Sequence, residues 1–145
     1  VLWRRMQRDW PHLYLPVRDA ARWHYRYLQH PTQSYVLLVL RQFLTGRPLA
    51  AMALREHPTH CEWLDYVGPQ QGIELAVLAV REWAGTKGKP VTALVSDSVA
   101  ALFSAQAETV HPSQIQIPVN APPGQTTAPP WAGRFWFMGG DTDFL

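Results

Sequence analysis

A chain of 145 residues, 47% hydrophobic and 17% charged, has the length of one domain and enough apolar content to bury a core, which excludes general disorder. Thirteen Lys and Arg against eleven Asp and Glu leave a net charge of +2, too small an excess to define a nucleic-acid groove or a polybasic membrane patch. The single cysteine, Cys61, excludes an internal disulfide and a Cys-rich zinc site and fits a reducing, cytoplasmic compartment.

The longest apolar runs, such as Tyr35 to Leu40 and Leu75 to Val80, fall far short of the roughly 18 residues a membrane helix needs. No signal-peptide pattern opens the chain, and its first residue is Val1, so a fragment of a longer protein is expected. Residues 1–33 are expected to form a helical and irregular segment that packs on a sheet built from 34–145, the whole being one compact unit.

Pro11 and Pro16 cut the opening into short pieces, and Arg18 to Leu28 reads as a helix. Tyr35 to Leu44 is then aliphatic and aromatic, Thr45-Gly46-Arg47-Pro48 supplies turn chemistry, and Leu49 to Arg55 follows as the second arm of a hairpin. His57-Pro58-Thr59-His60 makes a second break before Cys61 to Val67, which completes an antiparallel meander. Both alternating faces of Tyr35 to Leu40 are apolar, so both sides of that sheet are expected to be covered.

Gln70 to Ala84 carries Ile73, Val77, Val80 and Ala84 at helical spacing, and the Gly85 to Pro90 stretch ends it. Val91 to Ser96 reads as a short strand, which makes strand, helix and strand a parallel crossover. Asp97 or Ser98 is placed to cap a helix over Val99 to Ala107, and Gln114 to Val119 and Arg134 to Met138 read as two further strands. The expected fold class is α+β: a mixed sheet with an antiparallel meander, a βαβ parallel pair and C-terminal strands, with helices on both faces.

This order resembles the GCN5-related N-acetyltransferase (acyl-CoA N-acyltransferase) superfamily over roughly 34–145. Three segments look like parts of bacterial acetyltransferase-like proteins: Trp23 to Pro31, the strand end Trp63 to Pro69, and the closing Trp136 to Phe144. The resemblance implies acetyl transfer from acetyl-CoA or another acyl-CoA to an amine, on a small molecule or a peptide. In that superfamily the acyl-CoA pyrophosphate lies at the start of the helix after the fourth strand, in a loop of pattern Gln/Arg-x-x-Gly-x-Gly/Ala. Orphan amides and the helix dipole make such a place attractive to anions.

The matching stretch assigns Val67, Gly68, Gln70, Gln71, Gly72 and Ile73 to the cofactor. Two departures weaken the loop: Glu74 stands at the second Gly/Ala position, and Pro69 lacks an N–H. A bulky residue at Gly72 is expected to abolish CoA affinity with little change in melting temperature.

Acetyl transfer needs a base for the ammonium and an acid for the leaving thiolate. Glu62 and Asp65 lie on the strand where the family often places its base, and in a regular strand their spacing puts them on opposite faces. The family's usual acid, a tyrosine in the helix matching 99–107, is absent, which leaves Tyr66 as the candidate. Each of the three also has a plain structural reading, as a strand-end carboxylate or a core tyrosine.

His57, His60, Cys61 and Glu62 are metal-suited donors within six residues, but no second cluster pairs with them, and a turn without metal is the expectation. Gly139 to Asp143 lacks the later Glu of a calcium loop and also reads as a turn. The Arg- and Trp-rich opening reads as cover for the sheet, with no nucleic acid expected. Two classes of function remain: an N-acyltransferase with a degenerate pyrophosphate loop, or a non-catalytic domain of the same fold that serves as a structural half or binds a ligand or partner. That partner would be a missing N-terminal domain or a second copy.

Overall fold

The computed structural model describes residues 1–105, 107–113, Ile115, Gly124, Thr127 and 130–142. The first element is the helix α1 (Leu2–Asp9), which ends two residues before Pro11. Leu2, Met6 and Trp10 recur every fourth position, Met6 and Trp10 are buried, and the turn after Trp10 coincides with Pro11. α1 lies against β2 and β3, whose ranges follow.

Within the expected helix, α2 (Ala20–Trp23) is capped by Asp19, whose carboxylate accepts from the Arg22 N–H at 2.8 Å. The chain then widens into a π-helical turn, His24–Leu28, in which the Gln29 N–H donates to the His24 carbonyl five residues back at 3.0 Å. Such turns are rare and concentrate at functional sites.

Four strands, β1 (Val36–Arg41), β2 (Pro48–Glu56), β3 (Cys61–Val67) and β4 (Val91–Ala93), form one sheet in that order. The first three are antiparallel, and β4 joins β3 in parallel after the helix α3 (Ile73–Gly85). The molecule is therefore α+β with a mixed sheet. Gly46, with φ of 65°, closes the β1–β2 hairpin and donates to the Gln42 carbonyl at 2.8 Å.

The register between β2 and β3 shifts at Leu64. Arg55 faces Glu62 and Ala53 faces Asp65, whereas Leu54 faces Trp63 and Met52 faces Tyr66. Leu64 is an extra residue, and a bulge reverses the alternation beyond it. Glu62 and Asp65 consequently share one face, which corrects the opposite faces expected of a regular strand.

The Tyr66 face, with Ala50, Met52, Leu54 and Trp63, packs under α3 and α4 (Asp97–Ser104). Ile73, Ala76, Val77, Val80 and Ala84 of α3 are buried, and the Trp63 ring meets Phe103 of α4 at 5.2 Å and edge-on. The Asp65 face, with Ala53 and Arg55, receives the π-helical turn through Tyr27 and a short 3₁₀ turn, Gly139–Asp141. Helices or helical turns thus lie on both faces, although Val39 at the sheet edge remains 46% exposed.

Three expected elements differ. β4 ends at Ala93 because the chain turns to the C-terminal segment: the Leu94 carbonyl accepts from Gly139, and the Ser96 N–H donates to Phe137. Arg134 to Met138 is not a strand; it makes single bridges, Phe135 to Tyr14 and Met138 to Val95. Ser96, not Asp97 or Ser98, is the residue before α4, and its hydroxyl donates to the Phe135 carbonyl at 2.7 Å. The expected strand Gln114 to Val119 lies outside the described residues but for Ile115.

Candidate functional site

The expected cofactor loop is built on Tyr66. Its hydroxyl donates to the Pro69 carbonyl at 2.6 Å, and burial pushes its phenol well up. A Cβ on Gly68 would stand 2.7 Å from that oxygen and one on Gly72 2.8 Å from it. Both glycines are therefore required by the tyrosine beneath the loop. The Gly72 N–H donates to the Pro69 carbonyl and that of Ile73 to Gln70. Outside, the Gln70 N–H already has an anion: Asp9 of α1 accepts from it at 3.2 Å. Val67 and Ile73 are buried, Gln70 and Gln71 exposed, and Glu74 is exposed in the first turn of α3.

On the opposite face Asp65 is enclosed. Arg18 Nε donates to its Oδ1 at 2.6 Å, the Tyr66 N–H to the same oxygen at 2.8 Å, and the Tyr27 hydroxyl to Oδ2 at 3.0 Å. Arg18 Nη2 donates to Asp141 at 2.5 Å, and Asp141 also accepts from the Met138 N–H. Burial, together with the Asp141 charge, outweighs the attraction of Arg18 and pushes the Asp65 carboxyl up. Burial opposes the Arg18 charge, yet the two carboxylates raise its guanidinium further. Burial and Asp65 likewise push the Tyr27 phenol up. Gly140 completes the enclosure, since a Cβ there would strike the Tyr27 hydroxyl and the Leu64 carbonyl.

Glu62 sits farther along the same face in a different cluster. Arg55 Nη2 donates to it at 2.7 Å and Arg55 Nε at 3.1 Å, while His57 Nε2 lies 3.0 Å away. Burial alone would raise its carboxyl, but these hydrogen bonds hold it below the usual carboxylate range. The His57 ring stacks on His60 at 4.4 Å. Cys61, on the other face, is buried and its thiol pushed up by that burial, which leaves it unreactive. The structure thus does not join the three expected catalytic residues: Tyr66 faces α3, Asp65 faces Arg18, and Glu62 belongs with Arg55 and His57. Among the described residues no three His, Cys, Asp or Glu side chains are grouped to hold a metal, and no helix is long and apolar enough to cross a membrane.

A cleft of about 280 Å³ opens between the π-helical turn and the bulge of β3, lined by Arg22, Arg26, His30, Tyr35, Arg55 and Leu64 among others. A second recess of similar size adjoins it through Arg22 and Arg26 and reaches Trp23, Asp65 and Asp141. Sequence reasoning singled out none of these arginines. The usable signal was Arg22 and Arg26 four apart in the expected helix, hence on one face.

No protein-family model, curated protein or solved structure matches the chain.

Proposed function

We propose that this chain is a non-catalytic α+β domain of the acyl-CoA N-acyltransferase type, a ligand-binding half that does not itself transfer an acyl group. The order meander, α3, parallel β4 supports the fold assignment. The observation that carries the functional reading is that the groups needed for chemistry are engaged elsewhere. Asp65 holds three donors in a buried site, the Tyr66 hydroxyl is bonded to Pro69, and the Gln70 amide is bonded to Asp9. A base must reach its proton and an oxyanion loop must offer free N–H groups.

Calorimetric titration with acetyl-CoA and free CoA, with a turnover assay on simple primary amines, tests this. Absence of acetyl transfer is expected; sustained turnover would overturn the reading. One observation favours a second reading, an acyl-CoA-dependent N-acyltransferase. Glu62, held ionised beside His57, is a partly exposed carboxylate on the bulged strand, and bulges gather near active sites. Under that reading acetyl-CoA binds, an amine is acetylated, and Glu62→Gln abolishes turnover.

A further inference from the structure

We infer that the cleft between the π-helical turn His24–Leu28 and the β3 bulge is a binding site for a small organic ligand bearing an oxyanion group, a carboxylate or a phosphate. Its lining brings together Arg22, Arg26, Arg55 and His30, with no Asp or Glu among the described lining residues. Glu62 offsets Arg55 from behind, and Asp65 and Asp141 lie in the adjoining recess, bridged by Arg18. The cation that sets the cleft apart is Arg22: it is exposed, lines both recesses, and makes no side-chain hydrogen bond or ion pair to any described residue.

The other donors are arranged to the same end. His30 Nδ1 accepts from the Gln33 N–H at 3.0 Å, which leaves its Nε2 to carry the proton in the neutral ring. Arg55 uses Nε and Nη2 on Glu62 and His57, so Nη1 remains. Trp23, more than nine-tenths buried and lining the adjoining recess, has an indole N–H with no hydrogen-bond partner among the described residues. A buried unpaired donor is costly and asks for an acceptor. Tyr35, in edge contact with both Tyr27 and His30, supplies a flat apolar wall.

Two local irregularities make this concave place. The π-helical turn sets Arg26 on the cleft beside Arg22 of α2 while Tyr27 turns inward to Asp65, and the bulge adds Leu64 to its floor. Both irregularities are enriched at functional sites. The volume stands just under the ~300–1,000 Å³ of ordinary ligand clefts, which suits a ligand of modest size.

This site gives the ligand-binding half of the proposed function its place and ligand class, and rests on that reading only for the absence of catalysis. The test is calorimetric titration of the full chain with succinate and, separately, with inorganic pyrophosphate, at constant ionic strength. At least one probe is expected to bind saturably with one site per chain; succinate alone identifies a carboxylate ligand and pyrophosphate alone a phosphate. Arg22→Gln should weaken that binding about tenfold or more, the effect of losing a charge-assisted hydrogen bond. Arg4→Gln, which removes the same charge from the exposed side of α1, should weaken it less than twofold. Saturable binding by neither probe, or equal weakening by the two variants, would overturn the site. Acetyl turnover with intact probe binding would sink the non-catalytic reading and leave the cleft standing.

Discussion

The Arg18 guanidinium and the Asp65 carboxylate meet at 2.6 Å with side chains only 1% and 4% exposed, and the same guanidinium reaches Asp141. One cation thus pins the N-terminal loop, β3 and the C-terminal turn. Two carboxylates share one positive charge in a buried site, so the two kinds of deletion are unequal. Arg18→Met leaves both anions uncompensated and should cost about 3–5 kcal/mol in urea denaturation. Asp65→Asn leaves the Arg18–Asp141 pair whole and should cost about 1–3 kcal/mol. The reverse order would mean that Asp141 does not share Arg18 in solution.

The same pair fixes a pH dependence. A carboxyl raised on folding contributes stability that is present below its unfolded value, 3.8 for Asp65, and lost as pH rises through its folded value. Acid therefore favours this site, and most of all when Arg18 is gone. The deficit of Arg18→Met relative to wild type should shrink steadily as pH falls from neutrality toward 3.8. A constant deficit across that range would place its origin in lost packing instead.

Glu56 and Glu62 work in the opposite sense. Hydrogen bonds from Lys87 and Lys89, at 2.8 and 2.7 Å, pull Glu56 from an ordinary 4.5 down to about 2, and Glu62 is also lowered. Stability from a lowered carboxyl is present above 4.5 and lost as pH falls through the folded value. Denaturation midpoints should fall below pH 4.5, and Glu56→Gln should make that acid limb shallower. Salt at about 0.5 M should shrink the Glu56 part, which is open to solvent, and spare the Glu62 part. A midpoint that is unchanged or rises through that acid range would contradict both assignments.

The loop glycines answer to Tyr66, which revises the expected mild effect of a side chain at Gly72. Gly72→Ala would bring a Cβ within 2.8 Å of a hydroxyl that is fixed by Pro69 and by the stacked Trp136 ring. Overpacking of this kind costs about 1–3 kcal/mol. In the Tyr66→Phe background the obstructing oxygen is gone, so Gly72→Ala should cost less than about half as much. Additive costs in this double-mutant cycle would show that the Leu49 carbonyl, 3.3 Å away, is the real obstacle.

The sheet was legible because its signals are local. β3 was read to the residue, and α3 within three residues at its start and one at its end, from apolar periodicity and Gly-Pro punctuation. The bulge at Leu64 was not, since nothing in Trp63-Leu64-Asp65-Tyr66 announces an unpaired residue, and it is the bulge that moves Asp65 to the face of Glu62. Nor could sequence distance suggest that Arg18 binds Asp65 and Asp141, 47 and 123 residues away, at once. The cleft shares that difficulty: Arg22 and Arg55 come from elements that only the sheet brings together.

Whether the start of α3 retains any affinity for an acyl-CoA pyrophosphate turns on Asp9. Its carboxylate sits 3.2 Å from the Gln70 N–H, where an incoming phosphate oxygen would bond, and Glu74 adds a second negative charge within the same turn. Like charges at a protein surface repel by about 1 kcal/mol at short range after screening, roughly tenfold in affinity for each. Asp9→Ala and Glu74→Ala should therefore each strengthen acetyl-CoA binding, and the double variant more than either, with the gain smaller at high salt. Loss of the Asp9 hydrogen bond should cost the fold about 1 kcal/mol at most, so a rise in affinity with a small fall in melting temperature is the expected pair of readings. If acetyl-CoA binds wild type tightly and either variant weakens it, the carboxylate is a contact that helps the cofactor, and the N-acyltransferase reading with Glu62 as base gains over the non-catalytic one.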